Sequence, residues 1–250
     1  MARIRLTVAY VGTRYHGWQI QKNGPSIQEA LETRISCICG VPVRVHGSGR
    51  TDAGVHATGQ VAHFDAPDGN AIPWQKALNS MLPEDIAVVD ARAAEPGFHA
   101  RFSAVSKRYA YTLWTDPRFV LPQRAPFVWS VRGLNLEAMD RAAALLAGTH
   151  DFASFQNAGT ELKTTIRTLE PIIRVPGLCS GEWILHFQAD GFLKQMVRNL
   201  TAFLVEVGRG RLCPEDGPRL FRTRDRRLAP ATAPPQGLCL EEVFYGEPPV

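Results

Sequence analysis

Residues 47–64 read GSGRTDAGVHATGQVAHF and set one cation, Arg50, close to one anion, Asp52, among several glycines. Glycine allows tight turns and a close approach of the backbone to a ligand. The flanking residues predict one strand over 41–46 and another over 60–64, with a loop between them. Loops supported by strands commonly carry catalytic groups. A solvated turn is the other interpretation, because Asp and Gly are ordinary turn residues.

The rest of the N-terminal half alternates between strand and helix patterns. Residues 3–11 have the alternation of a half-buried strand. Ser26 and Glu29 form a capping box, which predicts a helix that begins there and is closed by Gly40. Three further elements are predicted after the loop: a helix over 73–81 and strands over 86–92 and 98–105.

The C-terminal half has a similar series of elements. They are predicted as a strand over 107–114, a helix over 136–146, strands near 165–175 and 182–189, a helix over 192–207 and a strand over 238–245. We therefore expect an α+β fold of two ferredoxin-like halves, each with a mixed or antiparallel sheet flanked by helices. The expected domains are residues 1–105, which carry the Asp52 loop, and residues 106–250.

The composition is that of an ordinary soluble protein. The chain has 250 residues, of which 45% are hydrophobic and 21% charged, and its net charge of +4 permits a polyanionic partner without requiring one. Five scattered cysteines fit reduced thiols better than a disulfide framework. The sequence contains neither a signal-peptide apolar region nor an apolar run of the roughly 20 residues that a membrane span needs. We expect a cytoplasmic protein.

Several long motifs occur in the order typical of one enzyme family. Residues 47–64 resemble the signature of the TruA-type tRNA pseudouridine synthases, in which GRTDAGVHA carries the nucleophilic aspartate. GWQIQ (17–21), FHARFSAVSKRYAYTLW (98–114), GFLKQMVRNL (191–200) and RLAPATAPPQGLCLEEVFY (227–245) resemble further segments of that family. The resemblance extends over nearly the whole chain, and it implies the pseudouridine synthase fold.

The resemblance implies roles for four residues. Asp52 matches the catalytic aspartate, and Arg198 matches the arginine that pairs with it. Arg50 matches the residue that holds the target nucleotide out of the helical stack, and Tyr109 matches the tyrosine that stacks on the substrate. Because burial alone would raise the pKa of a carboxyl group, a nearby cation suits an aspartate that must stay ionised.

The implied reaction is the isomerisation of uridine to pseudouridine in the anticodon stem-loop of tRNA, at positions 38, 39 and 40. The resemblance also implies a homodimer whose subunits bind the tRNA together. Pseudouridine formation moves the ribose attachment of uracil from N1 to C5 with no net gain or loss of electrons. We therefore expect no small-molecule cofactor and no metal.

Two departures from the family pattern concern local contacts rather than the catalytic aspartate. Val11 stands where the family commonly has Asp, and Gln195 stands where it often has His.

A further feature, the arginines of residues 219–227, has two interpretations. These side chains form a solvated face, or they contact tRNA phosphates, which would make binding strongly dependent on salt.

Two other functions compete with the enzyme hypothesis. The first is a catalytically silent RNA-binding protein of the same fold, which would have no need of the Asp52 carboxylate. The second is a metal-dependent hydrolase that uses His46, His56 and His63 with Asp52. The spacing of these histidines matches no standard ligand pattern.

Overall fold

The computed structural model describes residues 1–67, 72–157 and 163–246. The chain forms two compact units: the first contains Met1–Val105 and Cys239–Val250, and the second contains Ser106–Leu238. The predicted division placed the C-terminal segment in the second half. In the structure this segment is grouped with the first unit, because its strand pairs with residues 56 and 57.

The first unit contains a mixed sheet. Its strands are β1 Ala2–Tyr10, β2 His46–Gly47, β3 His56–Ala66, β4 Ile86–Ala93 and β11 Leu238–Tyr245, the last strand of the chain. Strands β1 and β3 are antiparallel, as are β1 and β4, whereas β11 runs parallel to β3. Within this unit the strand order is β4-β1-β3-β11, and β2 pairs with β3. The helices of this unit are α1 Ile27–Cys39 and α2 Trp74–Asn79.

Local sequence signals account for the first strand and the first long helix. Alternate residues of β1, from Ile4 to Tyr10, are buried, as expected for a strand with one face in the core. The Ser26 side chain accepts a hydrogen bond from the backbone N–H of Glu29, and Gly40 ends α1 in the left-handed conformation. The predicted strand and the predicted helix ends are therefore confirmed.

Two predicted strands in this unit are wrong. Over 41–46 only His46 is in a strand, because the backbone N–H groups of Val43 and Val45 donate to the side chains of Ser36 and Glu32 on α1. These side chains replace the partners that a neighbouring strand would supply. Over 98–105 the chain forms a turn, and the next strand begins only at Ala104.

The strands of the second unit are β5 Ala104–Trp114, β6 Trp129–Ser130, β7 Gly148–Asp151, β8 Ile166–Leu169, β9 Ile173–Pro176 and β10 Glu182–Ala189. Within this unit the strand order is β5-β10-β8-β7. Strands β5 and β10 are antiparallel over eight pairs, from Glu182 opposite Trp114 to Ala189 opposite Lys107. The helices are α3 Leu136–Leu146, α4 Met196–Gly208 and α5 Asp216–Thr223. Sheets accompanied by helices in both units confirm the predicted α+β class.

Three details of the second unit differ from the prediction. The single strand near 165–175 is two strands, β8 and β9, separated by a segment that contains Pro171, which cannot donate a backbone hydrogen bond. Helix α4 begins at Met196 rather than 192, after Gln195 in the left-handed conformation. Helix α5 was not predicted; it buries Leu220 and Phe221. Within the described ranges, no helix is long and apolar enough to cross a membrane.

Candidate active site

The loop between β2 and β3 places Arg50 and Asp52 on either side of a buried residue. Thr51 is buried, whereas Arg50 is exposed and Asp52 is half-buried. The loop turns back immediately after Asp52, because the backbone N–H of Val55 donates to the Asp52 carbonyl at 3.2 Å. Thr51 thus links the two predicted site residues of the first unit to its buried interior.

Thr51 is fixed by its side chain and by its backbone. Its hydroxyl shares a buried hydrogen bond of 2.8 Å with the hydroxyl of Tyr10 at the end of β1. Its carbonyl accepts a hydrogen bond of 3.1 Å from the backbone N–H of Trp18. Burial raises the pKa of Tyr10 well above its ordinary value, so this hydroxyl stays protonated at neutral pH. These contacts define the direction of the chain on both sides of Thr51.

The beginning of the loop is held by Gln60, a fully buried residue of β3. Its side-chain N–H donates to the carbonyl of Gly49 at 3.0 Å, and its carbonyl oxygen accepts from the Ser48 hydroxyl at 2.7 Å. Gln60 also hydrogen-bonds the side chain of Tyr10. One buried polar network thus connects β1, β3 and the loop that carries Asp52.

Close backbone packing adds to this network. Gly17 has a φ of +91°, and a Cβ at this position would lie 2.4 Å from the Thr51 carbonyl oxygen and 3.0 Å from the Asp52 carbonyl carbon. Any larger residue at position 17 would therefore displace the loop or distort its own backbone. Sequence reasoning missed Tyr10, Gly17 and Gln60 as supporting residues. The only local signal was the glycine in the GWQIQ segment.

The other two predicted site residues lie in the second unit. Tyr109 lies on β5, opposite Phe187, and its ring contacts Phe192 edge-on with 5.1 Å between the ring centroids. Tyr111, two residues further along the strand, is fully buried, and its hydroxyl donates to the Pro234 carbonyl at 2.7 Å. Tyr111 is therefore a core residue of this unit.

Arg198 lies on α4 and is half-buried. Its Nε donates to the carbonyl of Ala233 at 2.8 Å, and the Ala233 backbone N–H donates to the Arg198 carbonyl at 3.4 Å. The neighbouring residue Asn199 is fully buried, and its side-chain oxygen accepts hydrogen bonds from Thr232 at 2.7 Å and from Arg226 at 3.1 Å. The segment around Ala233 is therefore fixed against α4, and it orients the Arg198 guanidinium.

The arginines of residues 219–227 do not form one uniform face. Arg226 is half-buried and belongs to the Asn199 network, and burial lowers its pKa. The exposed Arg224 pairs with Asp151 at 2.9 Å, and the exposed Arg227 pairs with Asp225 at 2.7 Å. Arg226 thus has a structural role that neither sequence interpretation included.

The alternative metal site would require His46, His56 and His63 to converge with Asp52. In the described part of the chain, no group of three or more His, Cys, Asp or Glu residues is placed to hold a metal ion. The Nδ1 atoms of His56 and His63 accept hydrogen bonds from the backbone N–H groups of Gly12 and Ala100, both at 3.1 Å.

Comparisons with known proteins agree with the motifs. A family model described as tRNA pseudouridine synthase matches residues 6–103 and 142–246. A protein from Oleidesulfovibrio alaskensis named tRNA pseudouridine synthase A is 53% identical, with 98% of this chain and 97% of that protein covered. A protein of the same name from Solidesulfovibrio magneticus is also 53% identical, with 100% and 93% covered. One from Chlamydia trachomatis serovar A is 46% identical, with 98% and 93% covered. These matches confirm the family resemblance.

Proposed function

The chain belongs to the tRNA pseudouridine synthase family, and we propose that it isomerises uridine to pseudouridine in tRNA with Asp52 as the nucleophile. The observation that carries this proposal is the loop of the first unit, which holds a half-buried carboxylate between a buried threonine and a tight turn. Such rigidity suits a catalytic group, because small displacements of a reacting atom are costly in rate. A solvated surface turn would not need this many buried contacts.

The reaction breaks the bond between C1′ of the ribose and N1 of uracil. The base rotates, C5 bonds to C1′, the proton on C5 is lost and N1 gains a proton, so that the product is an isomer of the substrate. The Asp52 carboxylate acts covalently on the sugar or the base, or as a general base toward the ribose. Half-burial favours each of these actions because fewer water molecules compete for the carboxylate.

The other three residues act on the nucleotide and on the carboxylate. A uridine in a helical stem must be flipped out before it can react, which costs a few kcal/mol. The exposed Arg50 holds the flipped nucleotide, and stacking on Tyr109 offsets roughly 1–3 kcal/mol of the cost. Arg198, oriented by the Ala233 carbonyl, supplies the cation that the family resemblance assigns to the catalytic carboxylate.

The proposal also includes a substrate region and an assembly. The target uridines are those at positions 38, 39 and 40 of the anticodon stem-loop, and a homodimer binds the tRNA in the cytoplasm. A net charge of +4 per chain is modest for binding a polyanion. Two copies that contact one tRNA would combine their charges and their surfaces.

The substrate region is tested with unmodified tRNA transcripts that carry uridine at positions 38, 39 and 40. Carbodiimide labelling followed by primer extension maps the pseudouridines, and a transcript with cytidine at all three positions is the matched control. We expect modification of the first transcript at those positions and none in the control. Modification elsewhere alone would contradict the anticodon assignment, and binding without modification of either transcript would support the silent RNA-binding alternative.

The assembly is tested by sedimentation of the purified chain with and without tRNA. We expect a dimer at the concentrations at which the enzyme modifies tRNA. Activity from a species that stays monomeric at those concentrations would contradict the homodimer.

A further inference from the structure

The turn over residues 98–103 displays an aromatic ring on a rigid support. Phe102 is 77% exposed, although the backbone around it is well fixed. The backbone N–H of Ser103 donates to the His99 carbonyl at 2.9 Å, and the His99 N–H donates to the Ser103 hydroxyl at 3.0 Å. The N–H groups of Arg101 and Phe102 both donate to Nδ1 of His99, at 3.1 and 3.3 Å.

Other parts of the first unit also hold this turn. The Arg3 guanidinium donates to the Phe98 carbonyl at 2.7 Å, and the Tyr245 hydroxyl donates to the Ala100 carbonyl at 2.7 Å. The exposure of Phe102 is therefore a property of an ordered turn.

A series of rings connects Phe102 to the loop that carries Asp52. The Phe102 ring contacts His99 at 4.3 Å between centroids, His99 contacts His63 at 4.6 Å, and His63 contacts His46 at 5.1 Å. His46 is the residue directly before the GSGRTD loop. The exposed ring is thus backed by imidazole groups and belongs to the same packed region of the first unit as the base of that loop.

A cation lies beside the exposed ring. The guanidinium carbon of Arg101 is 5.7 Å from the Phe102 ring centroid. Among the residues that the structure describes, no carboxylate forms an ion pair with Arg101. The second unit offers a contrast in Phe119, which is 50% exposed and lies 5.6 Å from the guanidinium carbon of Arg118. Arg118 is neutralised by a two-point ion pair with Asp116, at 2.8 and 3.1 Å.

We propose, on the basis of the function proposed above, that Phe102 and Arg101 form a second RNA contact, distinct from the site that receives the target uridine. A nucleobase of the tRNA stacks on the exposed face of Phe102, and Arg101 binds a phosphate next to it. An aromatic ring with an adjacent cation is the usual surface for unpaired bases, and stacking on it tolerates any base. A protein partner fits less well, because a stable interface needs about 800 Å² on each side and this turn exposes one large apolar side chain.

The test measures the dissociation constant of an unmodified tRNA transcript with the full-length chain and three variants at position 102. We expect Phe102→Ala and Phe102→Leu to raise the dissociation constant about tenfold and Phe102→Trp to leave it close to the wild-type value. Leucine keeps the apolar contact with His99 but has no ring, so it separates stacking from packing. Phe119→Ala is the matched control, with no expected change, and thermal unfolding of each variant verifies the fold.

A second arm concerns the charge. We expect Arg101→Ala to reduce the slope of log Kd against log salt concentration by about the amount that one phosphate contact contributes. Unchanged binding by Phe102→Ala and Phe102→Leu, with wild-type enzyme still active on tRNA, would overturn this inference and leave the proposed function intact. Unchanged tRNA binding with a weakened self-association in sedimentation would overturn it in favour of a contact between two copies of the chain.

Discussion

The hydrogen bond between Tyr10 and Thr51 holds the residue that lies between Arg50 and Asp52. It is 2.8 Å long and buried on both sides. Tyr10→Phe leaves the Thr51 hydroxyl without this partner, whereas Thr51→Val leaves the Tyr10 hydroxyl with Gln60 as its remaining side-chain partner. Leaving one buried polar group unsatisfied costs about 1–3 kcal/mol of the free energy of unfolding. The double variant removes both groups. We therefore expect its loss in free energy of unfolding to be smaller than the sum of the two single-variant losses by about 1–2 kcal/mol.

Urea unfolding of the wild type, the two single variants and the double variant gives the four free energies of this cycle. We also expect turnover of tRNA by each single variant to fall by between about tenfold and a hundredfold, because Thr51 lies between Arg50 and Asp52. If the loss measured for the double variant equals the sum of the two single-variant losses within about 0.5 kcal/mol, the two residues are not coupled. Wild-type turnover in all three variants would show that this hydrogen bond does not position the catalytic loop.

Three further predictions concern His63 and Gly17 in the first unit and Arg226 in the second. Burial lowers the pKa of His63 to about 4, so the unfolded chain takes up a proton at this residue before the folded chain does as the pH falls below 6.5. Between pH 6.5 and 5 the free energy of unfolding should therefore decrease by up to about 1.4 kcal/mol per pH unit. Urea unfolding of His63→Asn at the same pH values should lack this part of the decrease. Gly17→Ala should cost at least about 2 kcal/mol in urea unfolding, since its Cβ would lie 2.4 Å from the Thr51 carbonyl oxygen; wild-type stability would contradict that clash. Arg226→Lys should lower the free energy of unfolding by about 1–3 kcal/mol, because it loses the hydrogen bond to the Asn199 side chain. Unchanged stability, together with a weaker dependence of tRNA binding on salt concentration, would instead favour a contact between Arg226 and a phosphate.

The fold was predictable where the signals are local in sequence. The helix that begins after Ser26 and ends at Gly40 was predicted because its capping groups lie within the helix ends themselves. The strand predicted over 41–46 failed for the opposite reason. Its backbone N–H groups are taken by Glu32 and Ser36, and the apolar pattern of the segment contains no information about side chains on a preceding helix.

The same limit applies to the candidate site. Asp52 could be singled out because a long motif surrounds it, and its catalytic role remains a prediction. The contributions of Tyr10 and Gln60 could not be predicted, since they come from strands that are distant in sequence and meet the loop only in the folded sheet. The half-buried Arg226 was indistinguishable in sequence from its solvated neighbours for the same reason.

The most direct test of the central claim is the release of tritium from tRNA labelled at C5 of uridine. C5 loses its proton only if the base is reattached through that carbon, so release reports the proposed chemistry itself. We predict release by the wild-type chain and none above background by Asp52→Asn, with both proteins unfolding at the same temperature. Release by Asp52→Asn at a substantial fraction of the wild-type rate would contradict the assignment of Asp52 as the nucleophile.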